Sequence, residues 1–185
     1  RTTGNEGSIL GVRGSTPTAY RDNLRYGGNT SCMEVRTGNG DLYIFDCGTG
    51  LRALGKRLLE EFGHSSINAF VFLSHYHWDH IQGIPFFEPL YNPENYVFFY
   101  SFPSHEQTVQ RALEEQMTDP YFPVNMEAMA AHRHFHNLSN DQLSFNDAQL
   151  RTTRLNHPQG CLGYRLESAS KVIVDSTAPG WAWGK

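Results

Sequence analysis

The chain has 185 residues, a formal net charge of −4, 39% hydrophobic and 18% charged residues, which is the balance of a globular protein with a sizeable core. The acidic excess lacks the basic stripe with which proteins grip nucleic acid, and no run approaches the roughly 18 apolar residues of a membrane span. Cys32, Cys47 and Cys161 are odd in number and form no Cys-x-x-Cys pair, which excludes a disulfide framework and a four-cysteine zinc knuckle.

In chain order, Ser8 to Arg13 predicts a first strand, followed by a loop at Gly14-Ser15-Thr16-Pro17 and a polar, irregular stretch from Thr18 to Gly28. Thr30–Arg36 and Asp41–Asp46 predict two strands, joined by Thr37-Gly38-Asn39-Gly40, whose Asn-Gly pair is a hairpin turn signal. Cys32 and Cys47 fall in strand-like surroundings and read as small core residues. Asp46 ends an apolar strand, either as a turn carboxylate capping Gly48-Thr49-Gly50 or with a role at a site. Leu51, Leu54, Leu58, Leu59 and Phe62 recur at helical spacing between charged residues and predict an amphipathic helix stopped by Gly63. His64, in the following loop, reads as exposed.

Ile67 to Leu73 is a short β-branched and aromatic run that reads as a buried strand. It leads directly into Ser74-His75-Tyr76-His77-Trp78-Asp79-His80. In extended chain, residues i and i+2 point the same way, so His75 and His77 can address one metal ion together. Where the strand breaks, Asp79 and His80 leave that alternation and can address a neighbouring ion. Imidazole suits zinc, and an adjacent carboxylate also accepts manganese or iron. An apolar strand ending in three histidines and an aspartate is not explained by solvation, because burying such groups unpartnered costs several kcal/mol.

Asn95–Ser101 predicts a further strand. Ser104 and Gln107 form a capping-box pattern that opens a helix to about Met117 and makes His105 structural. The proline-bracketed segment Thr118 to Val124 is either a lid or substrate wall or, more plainly, a connector anchored by its aromatics. His132, His134 and His136 share one face of a strand, but no acidic residue is spaced to complete a metal site with them, so they read as the wet face of an edge strand. Ala148–Asn156 predicts a strand ending at His157-Pro158, where proline biases His157 to extended backbone. Lys171–Asp175 is a last short strand ending in a carboxylate.

His75-Tyr76-His77-Trp78-Asp79-His80 resembles the His-x-His-x-Asp-His signature of the metallo-β-lactamase superfamily. Gly11 to Pro17, Arg25 to Cys32, Asp46 to Gly50, His77 to Gly83 and His157 to Arg165 resemble its phosphoribosyl cyclic phosphodiesterase-like branch, and the likeness extends from about Ile9 to Val174. The resemblance implies an α/β fold, the αββα sandwich, as a single domain over residues 1–185. It further implies two divalent ions, zinc first and manganese or iron as alternatives. His75, His77 and His157 would hold one ion, and Asp79, His80 and Asp175 the other, with Asp175 shared between them. Asp175 takes the bridging position over Thr177, because threonine cannot replace a bridging carboxylate. Asp46 would stand behind the ligands and steady a histidine, and Asp79 would be the catalytic carboxylate.

The implied activity is that of a metal-dependent hydrolase, a phosphodiesterase acting on a small anionic phosphodiester with water activated between the ions. Thioesters and lactones are alternative targets, and a metal-binding module or fragment without turnover is the alternative of another class. The family carries a further histidine ligand after the one matched by His157, and this sequence has none. The chain therefore reads as truncated or diverged after about residue 175, with the C-terminal part of the sandwich incomplete. Trp181 and Trp183, or a second subunit in a homodimer, would then cover the bare sheet. The cysteines and the absence of an apolar span predict a cytoplasmic protein.

Overall fold

The structure is a computed structural model that describes residues 6–23, 25–63, 65–103, 108–139, 142–169 and 171–176. The expectations at His64, at Ser104, His105 and Gln107, and at Thr177, Trp181 and Trp183 lie outside the described residues.

Two sheets stack on each other. The first comprises β1 (Glu6–Gly11), β2 (Cys32–Arg36), β3 (Leu42–Phe45), β4 (Asn68–Phe72), β5 (Tyr96–Ser101) and β6 (His132–Asn137), side by side in that order. The β2–β3 hairpin turns at the expected Asn39-Gly40, where Gly40 takes φ 92°. From β3 onward the pairing is parallel, which places the C-terminal ends of β3, β4, β5 and β6 along one edge. The second sheet orders β10 (Lys171–Asp175), β9 (Cys161–Ser168), β8 (Ala148–Leu155) and β7 (Gln142–Ser144), all antiparallel.

Alternating side chains of β3 and β4 serve two cores. Ile44, Ala69 and Val71 face α1 (Gly50–Phe62), whose Leu51, Leu54 and Leu58 are fully buried. Tyr43, Phe45 and Phe72 face the second sheet and meet Leu150, Tyr164 and Leu166. Cys32, Cys47 and Cys161 are free and buried, as small core residues are. Leu59 sits at the margin of the helical stripe and stays 36% exposed. Gly63 ends the helix at φ 57°.

After a single-turn helix, α2 (Trp78–Ile81), comes α3 (Val109–Glu115), capped by Thr108, whose hydroxyl accepts from the Arg111 N–H. In the segment Thr118–Val124, Tyr121 is solvent-facing while Phe122 packs on the core and edge-on against Phe86, so one of its two aromatics anchors it. His132, His134 and His136 lie exposed on β6, an edge strand, stacked against Tyr96, Phe98 and Tyr100 of β5.

Candidate metal centre

The centre forms where the end of β4 meets the second sheet. Leu73 continues the β4 pairing by donating its N–H to Tyr100 O (2.9 Å). The chain then passes to β9, because Leu162 N–H donates to Ser74 O (2.8 Å) and the Tyr164 hydroxyl donates to Leu73 O (2.7 Å). These two bonds hold the β8–β9 turn over the strand end, and His157 sits in that turn. The imidazoles of His75, His77 and His157 converge, with one ligand nitrogen from each lying within 4.8 Å of the others. Their ring centroids stand 4.4, 4.6 and 4.9 Å apart.

After His77 the chain makes a single helical turn, α2 (Trp78–Ile81), which buries Asp79 and His80. The turn is fastened from behind: Cys47 N–H donates to His80 O (2.7 Å) and Gly83 N–H to Cys47 O (2.8 Å). The approach is so close that a Cβ at Gly83 would lie 2.1 Å from Gly48 O. His80 Nε2 lies 3.4 Å from Asp79 Oδ2, and the His80 ring is 4.2 Å from that of His75.

Asp46 occupies a left-handed position (φ 58°) at the end of β3 and is wholly buried. Its carboxylate accepts from Ser74 N–H (2.8 Å), from the Ser74 and Ser31 hydroxyls, and from His80 Nδ1 (2.7 Å). It therefore grips the histidine of α2 rather than capping the turn behind it. Burial alone would raise the Asp46 pKa, but the charge and hydrogen bonds of His80 and the Ser74 donors bring it below the usual carboxylate value. Burial pulls His80 down, and Asp46 and Asp79 overcome this and raise it to about 10. At neutral pH His80 is therefore protonated on both nitrogens, Nδ1–H donating to Asp46 and Nε2–H facing Asp79, and a cation bound at Nε2 would displace that second proton.

The other groups divide by environment. Burial, reinforced by the charge of His80, lowers His75 to about 3, so its imidazole is a neutral lone-pair donor. His77 Nε2 lies 2.8 Å from Gln159 Oε1 and so carries the hydrogen, which turns the Nδ1 lone pair toward His157 Nε2 at 3.1 Å. Asp79 is drawn well below the carboxylate range despite burial, by His80 and by the Ser15 N–H that donates to its Oδ2 (2.7 Å). Asp175, at the end of β10, is raised to about 7 by burial and by the charge of Asp46, and its buried Oδ2 has no partner among the described residues.

These groups line one cleft of about 490 Å³, whose far wall is Ile9, Met33 and the loop Gly11–Ser15. Three imidazoles gathered around one point, beside a buried carboxylate with an idle oxygen, are a donor set that fits a divalent cation. The structure thus brings His75, His77 and His157 into one set, Asp79 and His80 side by side, and Asp175 to the wall of the same cleft. Ser74, Ser15 and Gln159 escaped the sequence reading. Ser15 acts through its backbone, which carries no residue signal, and Gln159 is visible only as part of the turn after His157.

Two stacked sheets with a histidine cluster at one common edge define the metallo-β-lactamase fold. A family model described as the beta-lactamase superfamily domain matches residues 42–177, and the chain belongs to that superfamily. Among curated proteins, the chain is 30% identical over 169 residues to a ribonuclease Z of Natronomonas pharaonis and 30% identical over 165 residues to one of Treponema denticola. It is covered to 89% and 88% in these matches but spans only 48% of either relative's length. The metallo-beta-lactamase fold protein YhfI of Bacillus subtilis superposes with a TM-score of 0.63 at 19% identity, over 92% of this chain and 60% of that one. Human tRNase Z, short form, superposes with a TM-score of 0.59 at 15% identity, over 92% and 67%. No helix among the described residues is long and apolar enough to cross a membrane.

Proposed function

We propose that the chain is a metal-dependent phosphodiesterase. The observation that carries this reading is the convergence of His75, His77 and His157 from two sheets onto one point. These three would hold one ion. Asp79 and His80 would hold a second, with Asp175 shared between the two. Zinc fits the imidazoles first, and manganese or iron the carboxylates.

Divalent ions bound there supply Lewis acidity, which makes water acidic near neutral pH and offsets charge on the non-bridging phosphate oxygens. The residues do the rest. Asp79 is ionised at working pH and takes the proton released as the water oxygen bonds to phosphorus. The phosphorus–oxygen bond to the leaving oxygen then breaks and the proton held by Asp79 passes to that oxygen, giving a monoester and an alcohol. Asp46 keeps His80 in one tautomer, and the Ser74 hydroxyl, 2.9 Å from His75 Nδ1, orients that ring.

Two curated relatives are named as ribonucleases, which supports the phosphodiester over thioester or lactone substrates and makes RNA a candidate beside a small anionic diester. The single-domain organisation, the cytoplasmic location that three free cysteines suit, and a homodimer belong to the same reading. The competing function is a metal-binding module without turnover.

Metal content and hydrolysis of bis(p-nitrophenyl) phosphate separate the two. Two equivalents of metal with turnover support the enzyme, and one equivalent without turnover supports the module. Asp79→Ala is expected to lower turnover by at least about 100-fold, the share typical of a lost acid–base group, with an unchanged circular dichroism spectrum. Unaltered turnover in this variant removes Asp79 from the chemistry.

A further inference from the structure

The cleft continues past the histidines to a wall that the metal chemistry does not use. That wall is the loop after β1. It is held rigidly: Arg13 N–H donates to Asn29 O (2.9 Å), its backbone bridges Thr30, and Ser15 N–H ties the loop to Asp79. The loop carries Arg13, a half-buried guanidinium lining the same cleft as His75, His157 and Asp175. Its Nε–H donates to Gly27 O (2.9 Å), which fixes the stem.

A guanidinium has five N–H donors, and one is used here. Among the described residues Arg13 has no carboxylate partner. Beside it stand Ile9 (69% exposed), Val12 (48% exposed) and the half-buried Met33, an apolar shelf next to the cation. Arg13 is also the one permanent cation among the residues lining a cleft that holds Asp79 and Asp175.

We propose that Arg13 is a substrate-binding residue that grips the anionic oxygens of a phosphodiester, while Ile9, Val12 and Met33 receive one flat apolar substituent of that diester. The substrate class is thus a phosphodiester with a nucleoside-like group on one side. This rests on the phosphodiesterase reading above. The planar fork matches two phosphate oxygens at once, which an ammonium does not do. The plainer role for Arg13 is to tie the loop to Gly27 and nothing more. A loop tie would be felt through Ser15 and Asp79, and hence in kcat.

Two measurements on the full chain decide the matter, using wild type, Arg13→Gln and Arg13→Lys, the first of them on the metal-loaded protein. With bis(p-nitrophenyl) phosphate, Arg13→Gln is expected to raise KM about tenfold or more, the worth of a charge-assisted hydrogen bond. Its kcat should stay within about threefold, and Arg13→Lys should recover part of the loss. Equal KM in all three proteins, or a fall confined to kcat, overturns the proposal.

The second measurement is calorimetric binding of adenosine 5′-monophosphate and of adenosine to the metal-free chain. Wild type should prefer the phosphate form, and Arg13→Gln should lose that preference while binding adenosine unchanged. If wild type hydrolyses no diester, the phosphodiesterase reading fails by itself, and this binding preference still decides Arg13. Equal binding of the monophosphate by wild type and Arg13→Gln overturns the proposal there too. A melting curve for each variant confirms that the comparison is made between folded proteins.

Discussion

Asp46 touches none of the cleft's open space, yet it is the carboxylate on which the centre's geometry turns. It joins β3, the end of β4 and α2 through one buried group. Replacing it by asparagine keeps the shape and removes the charge that fixes the His80 tautomer. Asp46→Asn is therefore expected to weaken metal binding by about 10- to 100-fold, read by competition with a coloured chelator. An unchanged affinity would show that His80 does not depend on it.

At this scale the sequence was informative where chemistry is local. His75, His77, Asp79 and His80 are legible as candidate ligands because they follow a buried strand at alternating and then helical spacing. Asp46 was legible only as an oddity, a carboxylate where an apolar strand ends. Whether it capped a turn or held a histidine depended on Ser74 and His80, brought to it from 28 and 34 residues away. The Ser15 contact to Asp79 was not legible, since any residue can offer that N–H.

Among the elements, α2 is the least self-sufficient. A single turn of four residues cannot hold itself in water. What holds it is the pair of backbone bonds through Cys47, and the close passage of Gly83 over Gly48 permits them. A methyl group there must push backbone away. Gly83→Ala is expected to cost about 1–3 kcal/mol, as overpacking does, and to release metal. Gly14→Ala has nothing within 4 Å to meet and should melt within about 0.5 kcal/mol of wild type, the range of an uneventful surface change. Thermal melts of the two variants make the comparison.

The elements also show why sequence patterns succeed unevenly. α1 repeats its leucines over several turns, and β4 is apolar after its first residue, Asn68, so both were readable before any contact was known. β7 (Gln142–Ser144) is a strand only because β8 lies beside it. The turn α2 lacks the length for any periodicity. The β8 strand was legible, but nothing in it says that Tyr164 and Leu162, one strand later, would dock onto Leu73 and Ser74.

For the whole molecule, the donor set spans the sandwich. His75, His77, Asp79 and His80 come from the first sheet's edge, and His157 and Asp175 from the second sheet. An ion bound between them, as proposed, would be a cross-link between sheets as well as a Lewis acid. A ligand that binds only the folded state adds stability by mass action, about 2.7 kcal/mol at a hundredfold excess over its dissociation constant. Chelation is accordingly expected to lower the melting temperature by several degrees. It should also speed hydrogen exchange in β9 and β10 more than in β3 and β4. Uniform exchange across both sheets would mean that the ion does not couple them.

The order of the ligands along the chain has a consequence for biosynthesis. A growing polypeptide exposes His75 and His77 long before His157 and Asp175 have been made. If these residues are the ligands, any ion that arrives before the last strands are synthesised and folded back meets half a grip and leaves again. Metallation is then an event of the finished chain, and ribosome-bound lengths ending before His157 should retain far less metal than those reaching past Asp175.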